Sequence, residues 1–485
     1  MKLIYIIFLL IISCNAFCTA GNDTTWLSLK QVVEMAKANS IAAKQASTTR
    51  ETKYWLWRTY KSNYQPQLSL SGNLPGYFKT STPVVQPDGS ILFQSINYDN
   101  SSVTLNFSQS ITATGATVYG MTQMQRFDDF ERHNVLYNGV PYAIGFSQPL
   151  GQYNSLKWDK RIQPLLFNES KQAYIESQEQ ISVTVTGYFF DLLLAQVNLA
   201  TAEANFTNTQ KILKIANLKF SLGKVSKNEI LQLQLEQLNA KKAVGTAKRD
   251  MEIATLNLRS YIGQEGDHKI VLAVPENISQ MMVTSERVLA EAFENRSDAI
   301  AFVRRVAEAK RDVALAHGQT GLTATLTANL GTSNSAGSIP GVYRSPQNQQ
   351  LLQLQFSIPV LDWGRSKAKI KTAEANQQFT EYSVEQDKQT FKQQIVTQVS
   401  LFNQMKEQLA FTAEADSIAS EKYKIARERY VLGDLSITDL SIAFQENDQA
   451  KRDYVQSLRD FWSAYYQLRY LSLYDFEKDE KITYK

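Results

Sequence analysis

The residues that could carry chemistry in this 485-residue chain are few and scattered. There are three histidines, His133, His268 and His317, and two cysteines, Cys14 and Cys18. No cluster of them has metal-ligand spacing. No GxGxxG, phosphate-loop, HExxH or GxSxG pattern occurs. Carboxylates are abundant, but long helices rarely place them around the deep pocket that catalysis needs. The residues therefore predict no enzyme, no catalytic group, no cofactor and no metal. One side chain stands apart. Ile11-Ile12-Ser13-Cys14 resembles the lipobox of bacterial lipoproteins, which makes Cys14 a candidate lipidation site.

Cys14 lies in a segment that reads as an export signal, residues 1–20. Lys2 supplies a positive start, and Ile4 to Ile12 form an apolar run too short to span a membrane. Cys18-Thr19-Ala20 offers a competing site for ordinary cleavage, so both processing routes stay open. Farther on, the most apolar stretch is 184–200, and Asp191 interrupts it. An exported chain of this kind is soluble, lipid-anchored or inserted as a β-barrel. Apolar residues make up 43% and charged residues 20%, which argues for a folded chain. The net charge of +4, with no basic block bearing interleaved aromatics, argues against nucleic acid as a partner.

The positioning elements are dominated by long helices. Apolar residues recur in alternating steps of four and three from Ile181 through Val185, Tyr188 and Leu192 to Leu213 and Phe220. A second run passes through Phe391, Ile395, Phe402, Leu409, Tyr423 and Tyr430. Each run of about 70 residues would reach roughly 105 Å as a helix, a length that needs a coiled-coil partner. The partner follows at once in sequence, along Ile230, Leu233, Ala240 and Leu258, and along Leu440, Ala443, Phe461 and Leu468. Between the helices, Gly223 and Gly433 suit a left-handed helix end. Ser226 and Ser436 suit the next N-cap, with Glu229 and Asp439 closing a capping box or its near-equivalent.

The two hairpins are copies. Residues 218–250 and 428–460 align without a gap at an offset of 210, with identities at Leu222/Leu432, Gly223/Gly433, Ser226/Ser436, Glu236/Glu446 and Asp250/Asp460. The same offset pairs Phe146-Ser147 with Phe356-Ser357 and Pro149 with Pro359. The chain divides into repeat 1 (27–262), a linker (263–285), repeat 2 (286–475) and a tail (476–485), with hairpin tips near 223–226 and 433–436. Each repeat opens with one shorter helix, over 27–63 and 284–317. Pro164 predicts a kink or a late start of the first long helix.

After each short helix the period changes to two. Strands are expected at 67–71, 142–148, 322–330 and 352–358, each with one apolar and one polar face, the pattern of a transmembrane β-strand. A further hairpin is legible within 101–124, in the barrel or in a loop. Tyr77, Phe78, Phe127, Phe130 and Tyr137 could form an interface girdle or pack an external loop. Four strands cannot close an outer-membrane barrel alone, so the chain must share one.

The motifs Phe220-x-x-Gly223-x-x-Ser226-x-x-Glu229 and Tyr430-x-x-Gly433-x-x-Ser436-x-x-Asp439 resemble those of the TolC-like outer-membrane efflux proteins. So do the strand ends Phe146-Ser147-Gln148-Pro149-Leu150 and Phe356-Ser357-Ile358-Pro359-Val360, and Asp362-Trp363-Gly364-Arg365 before the second long helix. The resemblance implies an α+β fold and a homotrimer. Its outer-membrane β-barrel would have about four strands per protomer, twelve in all, continued by an α-helical coiled-coil tunnel through the periplasm. It implies outer-membrane lipid, a periplasmic adaptor protein and, through the adaptor, an inner-membrane transporter as partners. The function implied is a passive exit duct for tripartite efflux or type I secretion. The alternative is a periplasmic or outer-membrane-anchored coiled-coil structural or adhesion protein. By the same resemblance Tyr430 and Asp439 are gate candidates. Leu435 and Ile442 stand where some relatives carry an arginine and a second aspartate, so the gate is expected to be less charged. Gly223, Ser226, Gly433 and Ser436 would form the adaptor-contact tips.

Overall fold

The computed structural model describes residues 25–264, 269–275 and 282–484. Cys14 and the export segment therefore lie outside the described residues. In chain order the elements are β1 (Thr25–Leu27), α1 (Leu29–Asn39), α2 (Ile41–Ser62), β2 (Gln67–Asn73), β3 (Tyr77–Val85), β4 (Ile91–Ile111), β5 (Ala116–Asp129) and β6 (Asn134–Leu150). The helical hairpin α3 (Ser155–Ser221) and α4 (Lys227–Ile262) follows, then β7 (Ile270–Leu272). The second copy has α5 (Ser285–Asn295), α6 (Ser297–Thr320), β8 (Thr323–Ala336), α7 (Ile339–Arg344) and β9 (Gln347–Ser357). It closes with α8 (Arg365–Leu432), α9 (Ile437–Ser472), β10 (Tyr474–Asp475) and β11 (Glu480–Lys481).

The chain forms two compact units. One contains residues up to 47, 175–292 and 395–485; the other contains 48–174 and 293–394. Each repeat thus gives its strands to one unit and its hairpin tip to the other.

The first unit is helical, with the short parallel pair β1–β7 and the antiparallel pair β10–β11 at its margins. Its core takes in residues of the predicted apolar stripes and others beside them. Val185 and Leu192 of the α3 stripe are essentially inaccessible, as are Phe189, Phe190 and Leu193, which the stripe did not include, Ile395 and Phe402 of α8, and Phe461 and Leu468 of α9. The Phe402 and Phe461 rings lie 5.5 Å apart. α3 contains a stretch apolar enough, by length and composition, to cross a membrane, and part of α3 is buried in this core. Asp191, which interrupts that stretch, is paired with Arg459 at 2.7 Å.

Two expectations about the helices need correcting. The helix expected over 27–63 is two, because Ser40 adopts extended backbone (φ −61°, ψ 151°) and its Oγ accepts from Ala43 N at 3.1 Å. The helix over 284–317 breaks in the same way at Arg296 (φ −78°, ψ 147°). The late start considered for the first long helix does not occur, since α3 begins at Ser155 and runs through Pro164.

The second unit is organised by one antiparallel sheet in the order β2-β4-β5-β6-β8-β9. β3 pairs with residues 91–99 of β4, beyond the 102–108 stretch paired to β2, so it prolongs the same edge. All four expected strands are present. The uncertain hairpin around 101–124 is not a loop: as β4 and β5 it lies inside the sheet, between β2 and β6. Among the described residues the outer edges of β2 and β9 are unpaired. Phe78, Tyr98 and Phe127 form a row of rings spaced 5.4 and 5.1 Å across β3, β4 and β5.

Candidate gate and docking tips

The candidate residues sit at the two hairpin turns of the helical unit. Each long helix ends on a glycine with positive φ, Gly223 at +70° and Gly433 at +95°. Gly223 N donates to Phe220 O at 2.9 Å and Lys224 N to Lys219 O at 2.9 Å. Gly433 N and Asp434 N both donate to Arg429 O at 3.0 Å. These bonds satisfy carbonyls that the helix end would leave bare.

The following N-caps differ between the copies. At the first tip the box is complete: Glu229 N donates to Ser226 Oγ at 3.3 Å, and Ser226 N donates to Glu229 Oε2 at 3.1 Å. At the second tip Asp439 N donates to Ser436 Oγ at 3.1 Å, while the Ser436 hydroxyl donates to Asp439 Oδ2 at 2.7 Å. Aspartate is one methylene shorter than glutamate and engages the hydroxyl instead of the Ser436 backbone amide. Its second oxygen is left toward solvent.

The four gate candidates separate into two pairs. Tyr430 is buried in the core that joins both hairpins, with Ala216, Ile230, Leu233 and Leu440, and Leu435 packs against the same cluster. The Lys219 ammonium lies 5.4 Å from the Tyr430 ring centroid. Burial, reinforced by Glu229 and Glu236, pushes the Tyr430 phenol above its ordinary value, so it stays neutral at physiological pH. Asp439 and Ile442 are exposed. Polar contacts also join the hairpins, Asn208 Nδ2 donating to Tyr423 Oη at 3.1 Å and Ser441 Oγ to Glu236 Oε1 at 3.1 Å.

Sequence reasoning missed a buried charge cluster in the same unit. Glu179 of α3 has no solvent exposure and pairs with Lys37 of α1 at 2.9 Å and Arg469 of α9 at 3.0 Å. The Tyr484 hydroxyl donates to the same carboxylate, and Arg469 also pairs with Asp475. Burial pushes the Glu179 carboxyl up, but Arg469 and Lys37 outweigh it and hold the group below the usual carboxylate range. No local motif marks this cluster. Its members come from four separate parts of the chain. No metal-binding cluster of His, Cys, Asp or Glu exists among the described residues.

Residues 288–472 match the outer membrane efflux protein family. No curated protein matches the chain. Among solved structures, this chain is similar to the CmeC outer membrane channel of Campylobacter jejuni, with a TM-score of 0.65 at 15% identity, covering 94% of this chain and 87% of that one. It is also similar to a membrane protein from Pseudomonas aeruginosa (TM-score 0.63, 14% identity, 92% and 93% covered). A third is VceC, an outer membrane protein of Vibrio cholerae (TM-score 0.62, 14% identity, 92% and 95% covered). At these identities the likeness establishes the fold: mixed α+β, with long paired helices and an antiparallel sheet.

Proposed function

We propose that this chain is the subunit of an outer-membrane exit duct, a passive channel that serves a tripartite efflux or type I secretion system. The observation that carries this reading is the sheet. It exposes Leu68, Leu70, Ile144, Leu352, Leu354 and Phe356, and register places all of them on one face. An exposed apolar face flanked by two open edges suits closure into a lipid-embedded barrel, which removes edges altogether. The same exposure disfavours a purely periplasmic structural or adhesion role. Copies of the chain close the barrel as a homotrimer, and the long helices continue its wall into the periplasm. The tips at Gly223–Ser226 and Gly433–Ser436 contact a periplasmic adaptor, which links the duct to an inner-membrane transporter. Asp439 and Ile442, exposed near one tip, narrow its periplasmic mouth, while Tyr430 and Leu435 pack in the core that joins the hairpins.

The test is assembly and conduction. Protein purified from outer membranes migrates as a heat-sensitive trimer in detergent and gives single-channel conductance in a planar bilayer. A stable, non-conducting monomer would sink the proposal.

A further inference from the structure

The four strands read from sequence would give a twelve-stranded trimeric barrel, but the sheet is six strands wide. We propose that the β4–β5 hairpin is part of the membrane wall, faced by lipid, so that each copy supplies six strands and a trimer closes with eighteen. This rests on the barrel reading above and extends it to the width of the duct.

Three observations place the hairpin in the wall. The first is pairing. β4 and β5 pair over fourteen consecutive positions, Tyr98–Ile111 with Ala116–Asp129, and they separate β2 from β6 along the whole length of β2. Fourteen residues of strand extend about 46 Å, whereas about 9–11 tilted residues suffice to cross a bilayer. A loop folded over the barrel would leave β2 paired to β6.

The second is the position of the hairpin turn. Asn154, just before α3, donates from Nδ2 to Thr112 O at 2.9 Å, and Gln148 Nε2 donates to Thr114 O at 3.0 Å. Gln109 Nε2 donates to Tyr64 O at 3.1 Å, just after α2. The turn is thus fastened to the end of the sheet where the helices begin, and the hairpin runs the full height of the wall.

The third is face chemistry. Following the register outward from β2, Leu68 faces Phe107, Phe107 faces Gly120, Gly120 faces Ile144 and Ile144 faces Leu330. Leu105 and Val118 share this face, and both are exposed. Their chain neighbours Asn106 and Tyr119 lie on the other face, in line with Ser69, Ser147 and Thr327. The apolar face therefore continues across the hairpin, with Gly120 and Thr122 within it. Thr122, a polar residue within that band, donates its hydroxyl to Val140 O at 3.1 Å, which meets the requirement that polar groups facing lipid be satisfied internally. Arg126 and Asp128 lie on the same face toward the end away from the helices, and pair with each other at 2.6 Å.

Barrel diameter grows nearly linearly with strand number. At a strand spacing of about 4.8 Å and a tilt of about 40°, twelve strands give a backbone diameter of about 24 Å and eighteen about 36 Å. The inner surface of the added strands is lined by Thr104, Asn106, Tyr119 and Gln123, so the extra width is a polar, water-filled lumen. The membrane section of this duct passes correspondingly bulkier cargo.

Single cysteines carrying an environment-sensitive fluorophore test this in vesicles containing brominated phospholipid. The sites are Leu105→Cys and Asn106→Cys in β4, Val118→Cys and Tyr119→Cys in β5, and Leu352→Cys and Gln353→Cys in β9 as reference. A chain without an added cysteine corrects for labelling at Cys14 or Cys18. The expected result is quenching by brominated lipid at 105, 118 and 352, several-fold stronger than at 106, 119 and 353, which aqueous iodide quenches instead. Lipid quenching at 352 but not at 105 or 118 would leave the barrel standing and remove the hairpin from its wall. Absence of lipid quenching at 352 as well would bring down the barrel reading and this proposal together.

Discussion

Glu179 and Arg469 are 290 positions apart in sequence and meet at 3.0 Å where the carboxylate has lost all contact with water. Lys37 and Tyr484 complete the site, so the charge of Glu179 is held by both ends of the described chain. Removing one partner of such a cluster leaves the others buried and uncompensated. Glu179→Gln is expected to cost about 3–5 kcal/mol, read as a lowered thermal midpoint of the helical signal. The pH dependence has a definite sign. The native carboxyl titrates below its unfolded value, so its stabilisation is complete above pH of about 4.5 and disappears as pH falls through the lower native value. Acid melts of wild type and Glu179→Gln should therefore converge below that window. Parallel curves would assign the loss to something other than the charge.

Gly223 and Gly433 differ from ordinary turn residues only in backbone, since a Cβ at Gly223 would meet no atom within 4 Å. Alanine at either position should cost about 1 kcal/mol through the positive φ alone. If the tips dock the adaptor, the double variant loses adaptor cross-linking and efflux more than it loses stability. Unchanged cross-linking and efflux would make these turns purely structural.

Asp439 is exposed and bonded only locally, to Ser436. Threefold assembly would turn it into a ring of carboxylates at a narrow aperture. Asp439→Asn keeps the size and much of the capping, and is expected to weaken cation selectivity, measured as reversal potential under a salt gradient. An unchanged reversal potential would reduce Asp439 to a helix cap.

The outward side of α8 carries Phe411, Ile418, Ile425 and Leu432, exposed by 70, 63, 49 and 77%. They recur every seven residues and so line one face of the helix, which in the proposed trimer would pack against a neighbouring copy. Ile418→Glu with Ile425→Glu should abolish the trimer in detergent, seen by light scattering, while the helical content of the protomer is retained. A normal trimer would place that contact elsewhere.

Mass spectrometry of the mature N-terminus decides between the two processing routes. The expected species, if Ile11-Ile12-Ser13-Cys14 is read as a lipobox, begins at diacylglyceryl-Cys14. A free amino terminus at Gly21 excludes lipidation.

What was legible in the sequence follows from periodicity. The inward stripe of α8, Phe391, Ile395, Phe402, Leu409 and Tyr430, is buried where spacing placed it. The turn residues behave as their types dictate, because capping and positive φ are local properties. The exposed apolar line of α8 was hidden because isolated exposed apolar residues among charges carry no marked pattern. The Glu179 cluster was invisible for a different reason, since pairing across hundreds of positions leaves no local trace. Strand number failed at an intermediate point. Val103 to Phe107 already alternated, but alternation cannot say whether a hairpin stands in a wall or folds over it, and only the register with β2 and β6 decides that.

The open edges of β2 and β9 also set an order of events in time. A single copy carries two unpaired strand margins and a broad greasy surface, a combination that templates aggregation in water. Among the described residues no element covers these margins. If the proposed trimer is the finished state, closing the sheet would have to coincide with meeting two other copies, and the yield of finished ducts would rise steeply with the rate of synthesis.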